Sequence, residues 1–134
     1  MAARFMLDTD TFSYAVSGRY PMVRQRLQSL KVPPILSAIS LAEIRYGACK
    51  RRSAKLDAMI GLFVELVEVR SFTAAAAEEY AMIRATLEAQ GQLIGDMDML
   101  IAAVAKAEGL TLVTNNTAHF SRVAGLRIEN WIGS

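Results

Sequence analysis

The order of patterns along this chain predicts an α/β fold, a central parallel sheet of about four or five strands flanked by helices, in a single domain over residues 1–134. Short apolar runs alternate with longer stretches of helical period. Oxygen-bearing side chains follow several of those runs, where a strand would hand over to a helix. No internal repeat, low-complexity tail or break in composition divides the sequence.

Phe5 to Leu7 reads as a first buried strand, followed by a helix from about Thr11. Gly18 and Pro21 punctuate it, and Pro21 suits the first turn of a second helix ending near Leu30. Pro33-Pro34 imposes an extended entry into a second strand, Ile35-Leu36-Ser37-Ala38. Ser40 is placed to cap a third helix running toward Arg51, and Lys55 to about Leu66 forms a fourth. Val67-Glu68-Val69 is a third strand. Thr73 to Gln90 carries the longest helical pattern, with Gly91 as its C-terminal stop. Beyond Gly95, residues Asp98, Ile101, Ala102 and Ala105 share one face of a helix that Gly109 ends. Thr111 to Val113 is a fourth strand, and Leu126-Arg127-Ile128 a fifth.

Composition removes several classes of function. With 134 residues, 53% of them hydrophobic, the chain can bury a core and is not a disordered segment. No apolar run approaches the roughly 20 residues of a membrane span, and Asp8 comes too early for a signal peptide's apolar region. The single Cys49 forms no internal disulfide and fits a reducing cytoplasm. One Cys and one His, His119, exclude a zinc site built from those ligands, so any metal is held by oxygen.

The net charge of +2 hides an asymmetry: Arg19 to Lys55 carries +8, with Glu43 its one acid, and the remainder carries −6. A polyanion can bind along that basic stretch, with Arg45, Lys50, Arg51 and Arg52 the candidate contacts. The plainer alternative is that long basic side chains solvate helix faces.

Asp8, Glu43, Asp98 and Asn116 are the candidate catalytic residues, because the carboxyl ends of parallel strands share one sheet edge where they can converge. Clustered carboxylates repel one another unless a cation sits among them, and hard oxygen donors suit Mg²⁺, with Mn²⁺ able to substitute. Each position also has a structural reading. Asp8 can cap the first helix, with Asp10 and Thr9 assisting. Ser40-Leu41-Ala42-Glu43 has capping-box spacing. Asn115-Asn116 can cap the turn from Thr117 to Phe120, and His119 can pack locally or act as a base. Asp96 reads as an N-cap. Asp98 heads an apolar stripe, so it faces inward, where an unpartnered carboxylate is costly.

Taken together, Met6-Leu7-Asp8-Thr9-Asp10, the run from Ser40 through Glu43 to Gly47, the run from Ile94 through Asp98 to Ala103, and Leu112-Val113-Thr114-Asn115-Asn116 resemble the PIN-domain ribonucleases, specifically the VapC-type toxins of bacterial toxin–antitoxin pairs. The tail from His119-Phe120 to Asn130-Trp131 fits as well, so the resemblance spans nearly the whole chain. It implies a PIN-like three-layer fold and a metal set of Asp8, Glu43 and Asp98. A fourth position, often Asp in the wider family, falls on Asn116, and Asp10, Asp96 and Asn115 stand nearby as accessory candidates. It further implies a Mg²⁺-dependent endoribonuclease cutting structured RNA, commonly tRNA and plausibly initiator tRNA. The implied assembly is a homodimer with a VapB-type antitoxin. Two rivals carry different expectations. A non-catalytic PIN-like binding module predicts a disrupted acidic set. A haloacid-dehalogenase-type phosphatase also begins with strand–Asp-x-Asp, but wants Thr or Val where Phe12 stands and an acid where Leu100 stands.

Overall fold

Met6-Leu7, Ile35-Leu36 and Leu112-Val113 are three apolar pairs whose six side chains are all fully buried. Successive side chains on a strand point to opposite faces, so strands of this kind need cover on both sides. The computed structural model, which describes residues 4–133, supplies it. Its elements are β1 (Phe5–Leu7), α1 (Thr9–Ser17), α2 (Pro21–Ser29), β2 (Ile35–Ser37), α3 (Ala38–Arg51), α4 (Ala54–Val64) and β3 (Glu68–Arg70). They continue with α5 (Ala74–Ala89), α6 (Asp96–Ala107), β4 (Thr111–Val113), α7 (Thr117–Phe120) and β5 (Arg127–Glu129).

The five strands pair in parallel in the order β3-β2-β1-β4-β5. Met6, Ile35 and Leu112 enter one core with Ile83, Leu87, Met99, Ile101 and Phe120 of α5, α6 and α7. Their neighbours Leu7, Leu36 and Val113 enter a second core with Phe12, Val16, Val23 and Ile60 of α1, α2 and α4. The result is three layers, helices on each face of the sheet. Each buried Leu, Ile, Met or Phe contributes roughly 1.5–3 kcal/mol, so the two cores account for the fold's main stabilisation.

Several element boundaries differ from the sequence reading. The helix after β1 starts at Thr9, because Asp8 caps it. Ser37, rather than Ser40, caps α3, its Oγ accepting from the N–H of Ile39 at 3.0 Å and of Ser40 at 3.2 Å. The helix follows β2 with no connecting residue, so the polar residue ending the strand reaches the free N–H groups first. Asp96 is the first residue of α6, with Gly95 at the cap position and no side-chain cap. The two edge strands begin one residue late, at Glu68 and Arg127, because pairing with β2 and β4 sets their registers rather than the local apolar run.

Among the described residues no helix is long and apolar enough to cross a membrane. Gly91 and Gly109 follow α5 and α6 with φ of +66° and +65°, the left-handed conformation glycine adopts without strain.

Candidate active site

The chain builds β1, β2 and β3 outward on one side, then crosses to lay β4 and β5 on the other side of β1. Strand order reverses between β1 and β4, and at such a point the helices diverge and leave a crevice at the carboxyl ends. Asp8 sits there. Its N–H donates to the Val113 carbonyl at 3.0 Å, and its Oδ1 accepts from the N–H of Thr11 at 2.8 Å. The side chain is therefore fixed by the cap while lining the crevice, so the capping and site roles coexist. Burial pushes the Asp8 pKa up, outweighing the Thr114 and Thr11 hydrogen bonds that favour its charged form.

Because Ser37 takes the cap of α3, Glu43 is released from the capping box and turns to the crevice. The Thr9 hydroxyl lies 2.6 Å from Glu43 Oε1 and 3.0 Å from Ser40 Oγ. With one proton to give, it serves the carboxylate and fixes its orientation. Asp98 enters from the first turn of α6 and is half-buried. Its pKa is raised, first by burial and then by the charges of Asp8, Glu43 and Asp10, with His119 opposing. Asn116 arrives from the exit of β4, its Nδ2 lying 2.8 Å from His119 Nδ1 and its N–H donating to Thr114 Oγ1 at 2.9 Å.

Asp8, Asp10, Glu43, Asp98 and Asn116 thus line one cavity of about 240 Å³, closed by Thr9 and Phe120. Residues widely separated in sequence meet as the topology requires. Two accessory candidates do not join them. Asp96 is exposed and does not line the cavity, and Asn115 accepts from Asn130 Nδ2 at 3.2 Å. Sequence reasoning overlooked Thr114, buried beneath Asp8 and Asn116, because a single Thr ending a strand carries no pattern.

The basic stretch divides. Arg24 donates to the Ala15 and Val16 carbonyls at 2.7 and 3.0 Å, Arg26 pairs with Glu129 at 2.7 Å, and Arg45 pairs with Asp57 at 2.7 Å. Arg45 is therefore engaged by α4 rather than free. Lys50, Arg51 and Arg52 are exposed, and Arg51 reaches a second hollow of about 260 Å³ that shares Thr9, Asp10 and Glu43 with the acidic cavity.

The donor set is all oxygen and mostly anionic, and burial together with repulsion from Asp8, Glu43 and Asp10 raises the pKa of Asp98, conditions that favour a hard divalent cation. Among the described residues, no three Asp, Glu, His or Cys side chains stand close enough to cage an ion directly.

Residues 5–126 match the PIN domain family. The chain is 39% identical to the tRNA(fMet)-specific endonuclease VapC of Shigella flexneri, over 96% of this chain and 98% of that one. It is 36% identical to ribonuclease VapC2 of Haemophilus influenzae, again over 96% and 98%. Its fold is similar to that in the crystal structure of VapBC2 from Rickettsia felis bound to a promoter DNA fragment, with a TM-score of 0.88, 36% identity and coverage of 95% of this chain and 98% of that one. A family match over residues 5–126, with 36–39% identity to the two VapC proteins over nearly the full length, leaves one assignment: the chain belongs to the PIN-domain family, in its VapC branch.

Proposed function

We propose that the protein is the toxin of a toxin–antitoxin pair, a divalent-metal-dependent endoribonuclease that hydrolyses phosphodiester bonds of structured RNA and so inhibits translation and growth in the cytoplasm. The observation that carries this reading is the meeting of Asp8, Glu43, Asp98 and Asn116 in one cavity at the switch point. Asp8 and Asp98 would hold the ion, Mg²⁺ by preference, with Glu43 beside them. When bound, it polarises the scissile phosphate and lowers the pKa of an attacking water. Thr9, beside Ser40, holds Glu43 in the cavity, where its carboxylate would accept a proton from the attacking water, and the Asn116 amide offers a donor to a phosphate oxygen. Phe120 forms one wall of the cavity. Attack by water with departure of the 3′ oxygen leaves a 5′-phosphate and a 3′-hydroxyl, and no protein nucleophile is needed.

The relatives' names favour tRNA, initiator tRNA in particular, as substrate, and a VapB-type antitoxin as partner; a homodimer is what the family resemblance implies. An acidic cavity of this kind is a receptor for an antitoxin guanidinium, which a bidentate Arg fills well. The intact acidic set argues against a non-catalytic PIN-like module, and membership of the PIN family against a phosphatase of the haloacid-dehalogenase type.

Expression without an antitoxin, followed by sequencing of RNA 5′ ends, tests the reading. New 5′-phosphate ends within a single-stranded loop of a tRNA, absent from cells expressing the Asp98→Asn variant, are the expected outcome; an unaltered set of ends overturns it. A second substitution probes the support beneath Glu43. Thr9→Val keeps the side-chain shape but removes the proton donated to Oε1, and cleavage should slow by about 10- to 100-fold, the usual cost of losing an orienting group. Melting temperature should fall little, since one part-buried hydrogen bond is worth about 1 kcal/mol. Initial rates equal to the parent's would show that Glu43 holds its place unaided.

A further inference from the structure

Glu43 lines a third hollow besides the two already described. On the side of α3 facing α6, an opening of about 420 Å³ is bounded by Ile39, Ala42, Glu43, Tyr46 and Met97. Its rim holds two large side chains in solvent, Tyr46 at 64% exposure and Met97 at 49%. Most exposed apolar residues on a protein are scattered singly and need no account. These two face one another across a hollow that shares a carboxylate with the acidic cavity, and that continuity calls for one.

Helical geometry orders the surface further. Glu43 and Tyr46 are three residues apart, and Tyr46 and Lys50 four, so all three lie along one face of α3. At 1.5 Å per residue, Tyr46 stands about 4.5 Å beyond Glu43 along the axis, and Lys50 about 6 Å beyond Tyr46. Lys50 is exposed, unlike Arg45, which α4 holds through Asp57. Moving outward from the acids, the surface offers an aromatic ring and then an exposed cation. A strand of single-stranded RNA repeats the complementary elements, phosphate, base, phosphate. A protein ligand needs no such alternation.

We propose that Tyr46, with Met97 opposite, is a stacking platform for the nucleobase flanking the scissile phosphate, and that Lys50 receives the next phosphate. This rests on the ribonuclease reading above and adds a substrate-positioning role to it. An ion between carboxylates fixes one phosphate but leaves the chain free to turn about it. A base laid on Tyr46 removes that freedom and brings the scissile bond into line. Stacking accepts any base, because every base has a π-face, so the platform contributes affinity and orientation rather than a sequence code.

The experiment uses the full chain carrying Asp98→Asn, in which RNA stays intact, and a short single-stranded oligoribonucleotide containing 2-aminopurine. Binding should quench the 2-aminopurine fluorescence. Adding Tyr46→Ala should weaken binding by on the order of tenfold, the effect of losing one base–aromatic stack, and abolish the quench. Tyr46→Phe should restore both, which a purely structural role for the phenol would not predict. With Asp98 intact, Tyr46→Ala should raise KM and also lower kcat, because the scissile bond loses its alignment. Equal affinity and equal quench in Tyr46→Ala overturn the proposal, as does failure of the parent to bind the oligonucleotide. A change in sedimenting mass with RNA affinity unaltered also overturns it, and assigns this face to a second copy of the chain. If the Asp98→Asn chain shows the quench but the protein with Asp98 intact cuts no RNA, the ribonuclease reading fails while the platform stands. If it cuts RNA and Tyr46→Ala is neutral, the reverse holds.

Discussion

Asp98→Asn should lower RNA cleavage by about a thousandfold while making the metal-free protein more stable. The first part follows from what the ion does in the reaction. Charge stabilisation worth several kcal/mol is lost with its ligand, and about 4 kcal/mol corresponds to three powers of ten in rate. The second part separates Asp98 from an ordinary structural acid. As the third residue of α6, its negative charge gains about 0.3–1 kcal/mol from the helix dipole, which favours keeping it. Its pKa is nevertheless raised, so burial and the charges of Asp8, Glu43 and Asp10 together outweigh that gain. Removing the charge relieves the conflict. Because Asp98 is only half-buried, solvent screening limits the benefit to about 1 kcal/mol or less, a few degrees in Tm. Added Mg²⁺ should then raise the parent's Tm and leave the variant's unmoved. A variant that still responds to Mg²⁺ removes Asp98 from the ion's ligands, and one that melts lower than the parent without metal shows that the helix dipole outweighs burial and repulsion.

The positions that meet in the cavity were legible because the α/β pattern places strand exits on one edge, and Asp8 and Asn116 each follow a buried strand closely. Asp98 was legible for a different reason, an acid heading an apolar stripe. Glu43 was ambiguous in one dimension, since Ser40-Leu41-Ala42-Glu43 satisfies a capping box as well as it satisfies a site. The ambiguity is resolved by the length of β2: ending at Ser37, it hands the cap to that residue and leaves Glu43 to Thr9, 34 positions away in sequence. No local pattern contains that contact. The one-residue offsets of β3 and β5 have the same origin, because edge strands are partly polar and take their register from a neighbour. Arg45, Lys50, Arg51 and Arg52 form one basic cluster in sequence, yet only the placement of Asp57 beside Arg45 reveals which of the four is already paired.

Acidification should abolish the stabilisation that Mg²⁺ confers, and do so at a higher pH than for ordinary surface carboxylates. Asp8 and Asp98 both have folded pKa values raised above the ordinary 3.8. A raised carboxylate binds its proton more tightly folded than unfolded. Without metal, its contribution therefore favours the fold at low pH and turns into a cost as pH rises from the unfolded value through the folded one. A bound cation requires both groups ionised, so the metal's contribution has the opposite sign and grows as pH rises through that window. At a metal concentration of a hundred times the dissociation constant, the gain near neutral pH is about 2.7 kcal/mol. Below the raised pKa values, displacing two protons costs up to a hundredfold in affinity per pH unit, and a single such factor cuts the gain to about 0.4 kcal/mol. The collapse should therefore be steep, complete within roughly one to two pH units. Paired melting curves with Mg²⁺ and with chelator, at intervals from about pH 4 to pH 8, measure it. A shift that stays constant across that range would mean the ion binds elsewhere than between Asp8 and Asp98.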